Sequence, residues 1–162
     1  MLKILSIAGG LAGAAGLSQY PEFSQQYAQR LGGAVDALSE VVADFDASAV
    51  SEGLTRPQAL EQMQGTNFIE RRRLDMERTF YRHAVLSEDL KLLKDAGPFT
   101  RAYNATRFRD GDVANAAWEA YEPAVPLNLT GAIFAGFGFL AGWISIGAVL
   151  AVVRWPFRRR AA

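Results

Sequence analysis

The sequence predicts an all-α membrane protein in which two transmembrane helices flank a periplasmic helical hairpin with two short helices. Residues 123–153 carry no charged side chain, and four arginines follow closely: Arg154, Arg158, Arg159 and Arg160. Residues 4–21 are also uncharged. All 17 acidic residues lie between Glu22 and Glu122. Two apolar runs around a charged middle therefore favour two spans and a water-exposed central domain.

Residues 1–20 are predicted to form an N-terminal transmembrane segment. The uncharged stretch is rich in Gly and Ala and follows a single basic residue, Lys3. The alternative is a secretory signal peptide, with a small-residue cleavage site such as Ala14-Ala15-Gly16. We interpret the segment as an uncleaved anchor, and the signal-peptide alternative stays open.

Residues 21–122 are predicted to form a helical domain built on a hairpin. The first helix has apolar residues at steps of three and four, close to the helical period. They are Phe23, Tyr27, Leu31, Ala34, Leu38, Val41 and Phe45. Residues 47–55 are expected to connect this helix to a second one, which Thr55 caps and which runs to about Asp95. The second helix carries a similar stripe, made of Ile69, Met76, Phe80, His83, Leu90 and Leu93. An antiparallel hairpin would cover both stripes.

Two short helices are predicted after the hairpin. Gly97-Pro98 should end the second long helix, because proline lacks a backbone donor and disfavours helix in the preceding residue. A short helix over about residues 99–108 follows. Asp112 is expected to cap a last one that runs through Ala120.

Residues 123–155 are predicted to form the C-terminal transmembrane helix, followed by a basic cytoplasmic tail at 156–162. Residues 127–153 exceed the roughly 20 apolar residues that a bilayer requires. The positive-inside rule assigns the arginine end to the cytoplasm. We therefore expect a bacterial inner-membrane protein with both termini cytoplasmic and the central domain in the periplasm.

The start of the chain resembles a known family. The residues that carry this resemblance are Gln19-Tyr20-Pro21-Glu22-Phe23, Gln25-Gln26-Tyr27 and Leu31-Gly32-Gly33-Ala34-Val35. Together with the Gly/Ala-rich start, residues 1–46 resemble an uncharacterised proteobacterial inner-membrane family, a domain of unknown function. The resemblance implies a bacterial origin and a location in the inner membrane, and it implies no catalytic residue.

The sequence predicts no catalytic, cofactor or metal site, and we expect the protein not to be an enzyme. Cysteine is absent, and His83 is the only histidine. Glu77 and Glu88 lie six and five positions from it, so neither shares its helical face. No G-x-S-x-G motif or glycine-rich nucleotide fingerprint occurs.

The arginine run 71–73 is interleaved with acidic residues, which is typical of a solvated, salt-bridged helix face. It therefore predicts no nucleic-acid partner. A patch that docks a protein or a lipid headgroup is the alternative.

Small residues in the predicted spans point to helix packing. Gly9 and Gly13 are four apart in the first span, as are Gly138 and Gly142 in the second. This spacing allows close approach of helix backbones in a membrane. We expect pairing either between the two spans or between copies of the chain.

These observations predict a non-enzymatic inner-membrane assembly or scaffold protein, either homo-oligomeric or an accessory subunit of a larger complex. Its partners would be the lipid bilayer and either itself or another inner-membrane protein. Two alternatives stay open: a membrane-anchored sensor or enzyme using His83 with carboxylates, and a lipid-handling helical protein.

Overall fold

A computed structural model describes residues 2–123 and 128–158, and this part of the chain is helical without a β-strand. The all-α prediction is therefore confirmed. The helices are α1 (Leu2–Ser18), α2 (Tyr20–Ser51), α3 (Arg56–Gln62), α4 (Asn67–Leu93), α5 (Pro98–Tyr103), α6 (Gly111–Glu119) and α7 (Leu129–Arg158), with a 3-10 turn at Ala105–Arg107.

The helices belong to two compact units. The first unit lies within Met1–Gln25 and Ala120–Ala162, and the second unit is Gln26–Glu119. The first unit consists of α1, the start of α2 and α7, with α1 packed against α7. The second unit contains the rest of α2 and the helices α3 to α6.

One helix of the described chain is long and apolar enough to cross a membrane. Its candidate span is Leu129–Val153, 25 residues with a mean hydropathy of 2.0. Only 6% of its most apolar window is buried, so the other described residues leave most of these side chains uncovered. Helix α1 has 17 residues, about 26 Å of helix against a hydrocarbon core of about 30 Å. Whether it forms a second span stays a prediction.

The predicted connection at residues 47–55 is wrong at its start, because α2 continues to Ser51. The serines that suggested a loop bond to carbonyls of their own helix instead. Ser48 Oγ donates to the Asp44 carbonyl at 2.9 Å, and Ser51 Oγ donates to the Ser48 carbonyl at 2.8 Å. The chain turns only at Gly53, whose φ of +70° suits glycine.

The prediction of a single second long helix in the hairpin is wrong, because this part of the chain forms two helices, α3 and α4. Gly65 has a φ of +107°, a conformation that ends a helix and that L side chains rarely adopt. Thr66 then caps α4 by accepting the Ile69 N–H at 3.3 Å. Thr55 begins α3 as expected, and its N–H donates to the Gln58 side chain at 2.9 Å.

The buried face of α2 is offset from the predicted stripe beyond Leu31. Val42 is 8% exposed, whereas Val41, which was assigned to the stripe, is 43% exposed. At 100° per residue, Val42 lies within about 20° of the buried Leu31 and Val35 around the helix axis, whereas Val41 lies about 80° from Leu31 and faces away from the core. The core of the second unit comprises Tyr27, Ala28, Leu31, Val35, Val42 and Ala49 on α2, Leu86 and Leu93 on α4, and Val113 and Ala117 on α6.

Candidate functional site

Two described helices of the first unit approach closely at Gly13 of α1 and Gly138 of α7. A Cβ atom added to Gly13 would collide with the Gly138 carbonyl oxygen, and one added to Gly138 would collide with the Gly13 carbonyl oxygen. Each glycine thus accommodates the main chain of the other. Any larger residue at either position would force the helices apart.

A second glycine pair continues this contact one turn away. A Cβ on Gly142 would meet the Gly9 carbonyl oxygen, and one on Gly9 would meet the Ile146 side chain. Because Gly9 lies opposite Gly142 and Gly13 opposite Gly138, α1 and α7 run antiparallel. We call these four residues the glycine contact. The structure thus brings all four glycines named by the sequence pattern together within one chain.

Neighbouring small residues differ in what surrounds them. Phe139 packs over Gly10, and its Cε2 would lie 2.7 Å from an added Cβ. Gly16 and Gly136 have nothing within 4 Å of an added Cβ. Spacing of four residues is therefore insufficient by itself to identify the packed face of these helices.

Aromatic side chains of the family-like stretch pack within the first unit. The rings of Tyr20 and Phe134 stack at 5.4 Å, and those of Phe23 and Tyr121 meet edge to face at 6.1 Å. The Tyr121 hydroxyl donates to Gln19 Oε1 at 2.5 Å. Burial, with the nearby Glu22 carboxylate, raises the pKa of Tyr121 and keeps this donor protonated. Sequence analysis did not identify this cluster, although its first residues lie in the stretch that carries the resemblance.

The four arginines used to predict topology lie at or beyond the end of α7. Arg154 and Arg158 fall within the last turns of that helix. Arg159 and Arg160 lie outside the described residues. Their assignment to the cytoplasm stays a prediction.

The second unit has a buried ion-pair network around Asp89. None of Asp89 is exposed. Arg109 makes a two-point contact with its carboxylate, Nε to Oδ2 at 2.8 Å and Nη2 to Oδ1 at 3.0 Å, and Arg107 adds a contact at 3.1 Å. Two arginines thus compensate one buried charge. Sequence analysis missed this network, because Asp89 and Arg109 are 20 positions apart and no local spacing relates them.

A second carboxylate, Asp110, begins α6. It accepts the Val113 N–H at 3.0 Å and a two-point contact from Arg82, with both distances 3.1 Å. The predicted cap, Asp112, is wrong: it lies in the first turn of α6, beside the positive helix end. Partial burial alone would raise the pKa of Asp110. The Val113 N–H and Arg82 outweigh it and lower that pKa.

Tyr27 links Asp110 to the core of the second unit. The Asp110 N–H donates to the Tyr27 hydroxyl at 3.3 Å, and the Tyr27 ring lies 4.5 Å from that of Phe108. Burial raises the pKa of Tyr27. The start of α6 is therefore held by both a buried phenol and the Arg82 ion pair.

The chain matches one family model over residues 1–159, described as a protein of unknown function, DUF2937. The chain belongs to the DUF2937 family. The resemblance to a domain of unknown function is thus confirmed, and it extends beyond residues 1–46. No curated protein and no solved structure matches the chain.

His83 of this DUF2937 protein is half-buried, and its Nε2 lies 2.8 Å from the Ser39 hydroxyl. The described residues contain no group of three His, Asp or Glu side chains that could hold a metal ion. His83 therefore joins α4 to α2 through a hydroxyl. The sensor or enzyme alternative gains no geometric support from this position.

Proposed function

We propose that this protein is a non-enzymatic inner-membrane protein with two spans and a periplasmic helical domain that serves assembly, as a homo-oligomeric scaffold or an accessory subunit. The observation that carries the proposal is the uncovered apolar surface of α7. A 25-residue apolar stretch with 6% of its most apolar window buried requires an apolar environment. Lipid or a second protein would supply it.

The second span of the proposal is α1. Its 17 residues lie at the lower limit for a transmembrane helix. Large apolar side chains such as Ile4 and Leu11 are exposed, while the glycine contact holds α1 against α7. Such a packed pair can cross together, because close helix packing supplies the association energy that lipid exclusion cannot.

The orientation follows from charge. Lys3 and the four terminal arginines flank the proposed spans, and the positive-inside rule assigns such ends to the cytoplasm. The central domain would then lie in the periplasm.

An assembly role is supported by apolar side chains that the second unit leaves exposed. Val50, Phe68, Tyr81 and Tyr103 all present most of their surface. Aromatic residues of this kind are enriched where proteins meet. A domain that carries them beside a membrane is suited to contact another protein.

The membrane part of the proposal is tested by fractionation and labelling. The wild-type protein should stay in the membrane pellet after alkaline carbonate. Leu140→Arg, near the middle of α7, should move much of it to the soluble fraction, because arginine there opposes insertion by about 3 kcal/mol. The chain has no cysteine, so Tyr103→Cys would provide a unique thiol. It should react with an impermeant maleimide in spheroplasts, whereas Lys3→Cys should not. The reverse labelling pattern would exclude this topology.

The assembly part is tested by native mass measurement after extraction in a gentle detergent. The expected particle contains either several copies or a second protein. A strictly monomeric particle without a partner would contradict the assembly proposal.

A further inference from the structure

Helix α4 carries a regular outward seam of six residues, of which five are exposed and Val85 is half-buried. Its residues recur at steps of three and four, an average of 3.5, which is the period of a coiled-coil contact. They are Arg71, Leu74, Arg78, Tyr81, Val85 and Glu88. Leu74 is 50% and Tyr81 73% exposed. An open surface depression on this helix is lined by Arg71, Leu74, Glu77, Arg78 and Tyr81.

We propose that this outward seam pairs antiparallel with the same seam of a second copy, an inference that rests on the proposed assembly function and names its partner. With the two-fold axis between Thr79 and Phe80, Leu74 faces Val85 of the other copy. Each contact then occurs twice, as in any two-fold interface.

The charged and aromatic residues of the seam are complementary in this register. Arg71 faces Glu88 of the other copy, giving opposite charges. Arg78 faces Tyr81, and a guanidinium over a phenol ring is attracted by the ring's quadrupole. Glu88 is exposed and contacts Arg107 of its own chain at 3.3 Å, a surface pair that leaves it accessible to a second arginine.

A parallel pairing of the same seam brings like charges together, and a shifted antiparallel pairing overlaps over a shorter length. A parallel pair would place Arg71 against Arg71 and Arg78 against Arg78, and like charges at such positions repel. An antiparallel pair shifted by one heptad would place Leu74 against Leu92 and Arg78 against Glu88, but Arg71 would then lie beyond the end of the other α4. That shift shortens the overlap of the helices, because residues 67–72 of each copy then lie beyond the end of the other α4.

The seam has one apolar pair on each side of the axis, so the contact by itself would be weak. Two copies anchored in one membrane meet at a high effective concentration. The pairing is therefore expected in the membrane or in native-like lipid particles, and its population should fall on dilution in detergent.

Cysteine cross-linking tests the pairing directly, since the chain has no native cysteine. Membranes holding both Leu74→Cys and Val85→Cys copies should yield a disulfide-linked dimer. Either variant alone should not, because an antiparallel pair separates identical positions by ~16 Å along the helix. A mixture of Leu74→Cys with the exposed Tyr103→Cys provides the background.

Several cross-linking results would overturn the proposal. Dimer from Leu74→Cys alone would indicate a parallel pair, and dimer from Leu74→Cys with Leu92→Cys would indicate the shifted register. Absence of the 74–85 dimer above background would exclude the contact. If native mass measurement still finds an oligomer or a second protein, the assembly proposal survives while this contact fails.

Charge exchange supplies an independent readout. Arg71→Glu places two glutamates opposite each other at both ends of the seam, and the cross-linked fraction should correspond to roughly tenfold weaker pairing. Arg71→Glu combined with Glu88→Arg should restore it. Failure of Arg71→Glu to reduce cross-linking would contradict the proposed register.

Discussion

Gly13 and Gly138 each occupy the space where the other's side chain would begin. The carbonyl oxygen of either residue lies where a Cβ atom of the other would be. The backbones of α1 and α7 are therefore in direct contact. Tolerance to substitution at these positions depends on backbone proximity rather than on side-chain chemistry.

We expect Gly13→Ala to destabilise the α1–α7 pair, whereas Gly16→Ala should not. The added methyl group at position 13 forces a shift of the main chain, and overpacking costs about 1–3 kcal/mol. Alanine returns up to about 1 kcal/mol in helix propensity. At Gly16 nothing lies within 4 Å, so only the propensity gain applies. Unfolding by sodium dodecyl sulfate in mixed micelles would measure the stability of both variants. Equal unfolding midpoints for Gly13→Ala and Gly16→Ala would contradict the glycine contact.

Asp89→Asn should reduce the stability of the second unit by about 1–3 kcal/mol, because it removes a charged acceptor from Arg107 and Arg109 while its site stays buried. Asp46→Asn is the matched control. Asp46 also accepts a two-point arginine contact, from Arg56 at 2.7 and 2.5 Å, but both side chains are about 40% exposed. Exposed pairs contribute about 0–1 kcal/mol. Chemical denaturation followed by circular dichroism compares the two, and a larger loss for Asp46→Asn would refute the importance of burial.

The stability of the second unit should fall as the pH drops below about 4. The pKa of Asp110 lies below its ordinary value of 3.8, as does that of Asp46. A carboxyl group whose folded pKa is depressed stabilises the fold above its unfolded pKa, and this contribution is lost as pH falls through the folded pKa. Thermal midpoints measured between pH 6 and pH 3 should show the decline. The thermal midpoint of Asp110→Asn should fall less over the same pH range.

Asp110→Ala should be less stable than Asp110→Asn at neutral pH. Asparagine can still accept the Val113 N–H, whereas alanine leaves the start of α6 without its cap, a loss of about 0.5–2 kcal/mol. Denaturation midpoints of the two variants at pH 7 give the comparison. Equal midpoints would mean that the cap is not what Asp110 contributes.

We expect His83→Ala to leave the metal content of the purified protein unchanged. The contact that the structure gives His83 is the Ser39 hydroxyl at 2.8 Å. Loss of this hydrogen bond should instead cost about 1 kcal/mol of stability, and Ser39→Ala should cost a similar amount. Elemental analysis by mass spectrometry together with denaturation would test this. A metal that disappears in His83→Ala but remains in Ser39→Ala would revive the sensor alternative.

Helix boundaries show where sequence patterns were sufficient and where they were not. Helix α4 ends at Leu93, close to the predicted end near Asp95, and Pro98 begins α5, a position that suits proline because no backbone donor is needed there. The break between α3 and α4 was missed, because a helix can tolerate one glycine and only the φ of Gly65 shows that this one terminates. Ser48 and Ser51 suggested a loop where the helix in fact continues. Their hydroxyls donate to carbonyls of the same helix.

The ion-pair networks could not be predicted from local spacing. Asp89 is joined to Arg107 and Arg109, and Asp110 to Arg82, by the folding of α4 against the chain that follows it. The acid that caps α6 was predicted as Asp112 instead of Asp110, because the two acids lie two positions apart at the start of the helix. Only the position of the Val113 N–H distinguishes them.

By itself the sequence determined the helical class, the apolar run that forms α7 and the small residues on which close packing depends. These are properties of composition and period along one chain. The tertiary structure decided which glycines meet, which valine of α2 faces the core and which arginines neutralise Asp89. Such relationships join residues far apart in the chain, and they depend on helix rotation and approach, which a linear pattern does not specify.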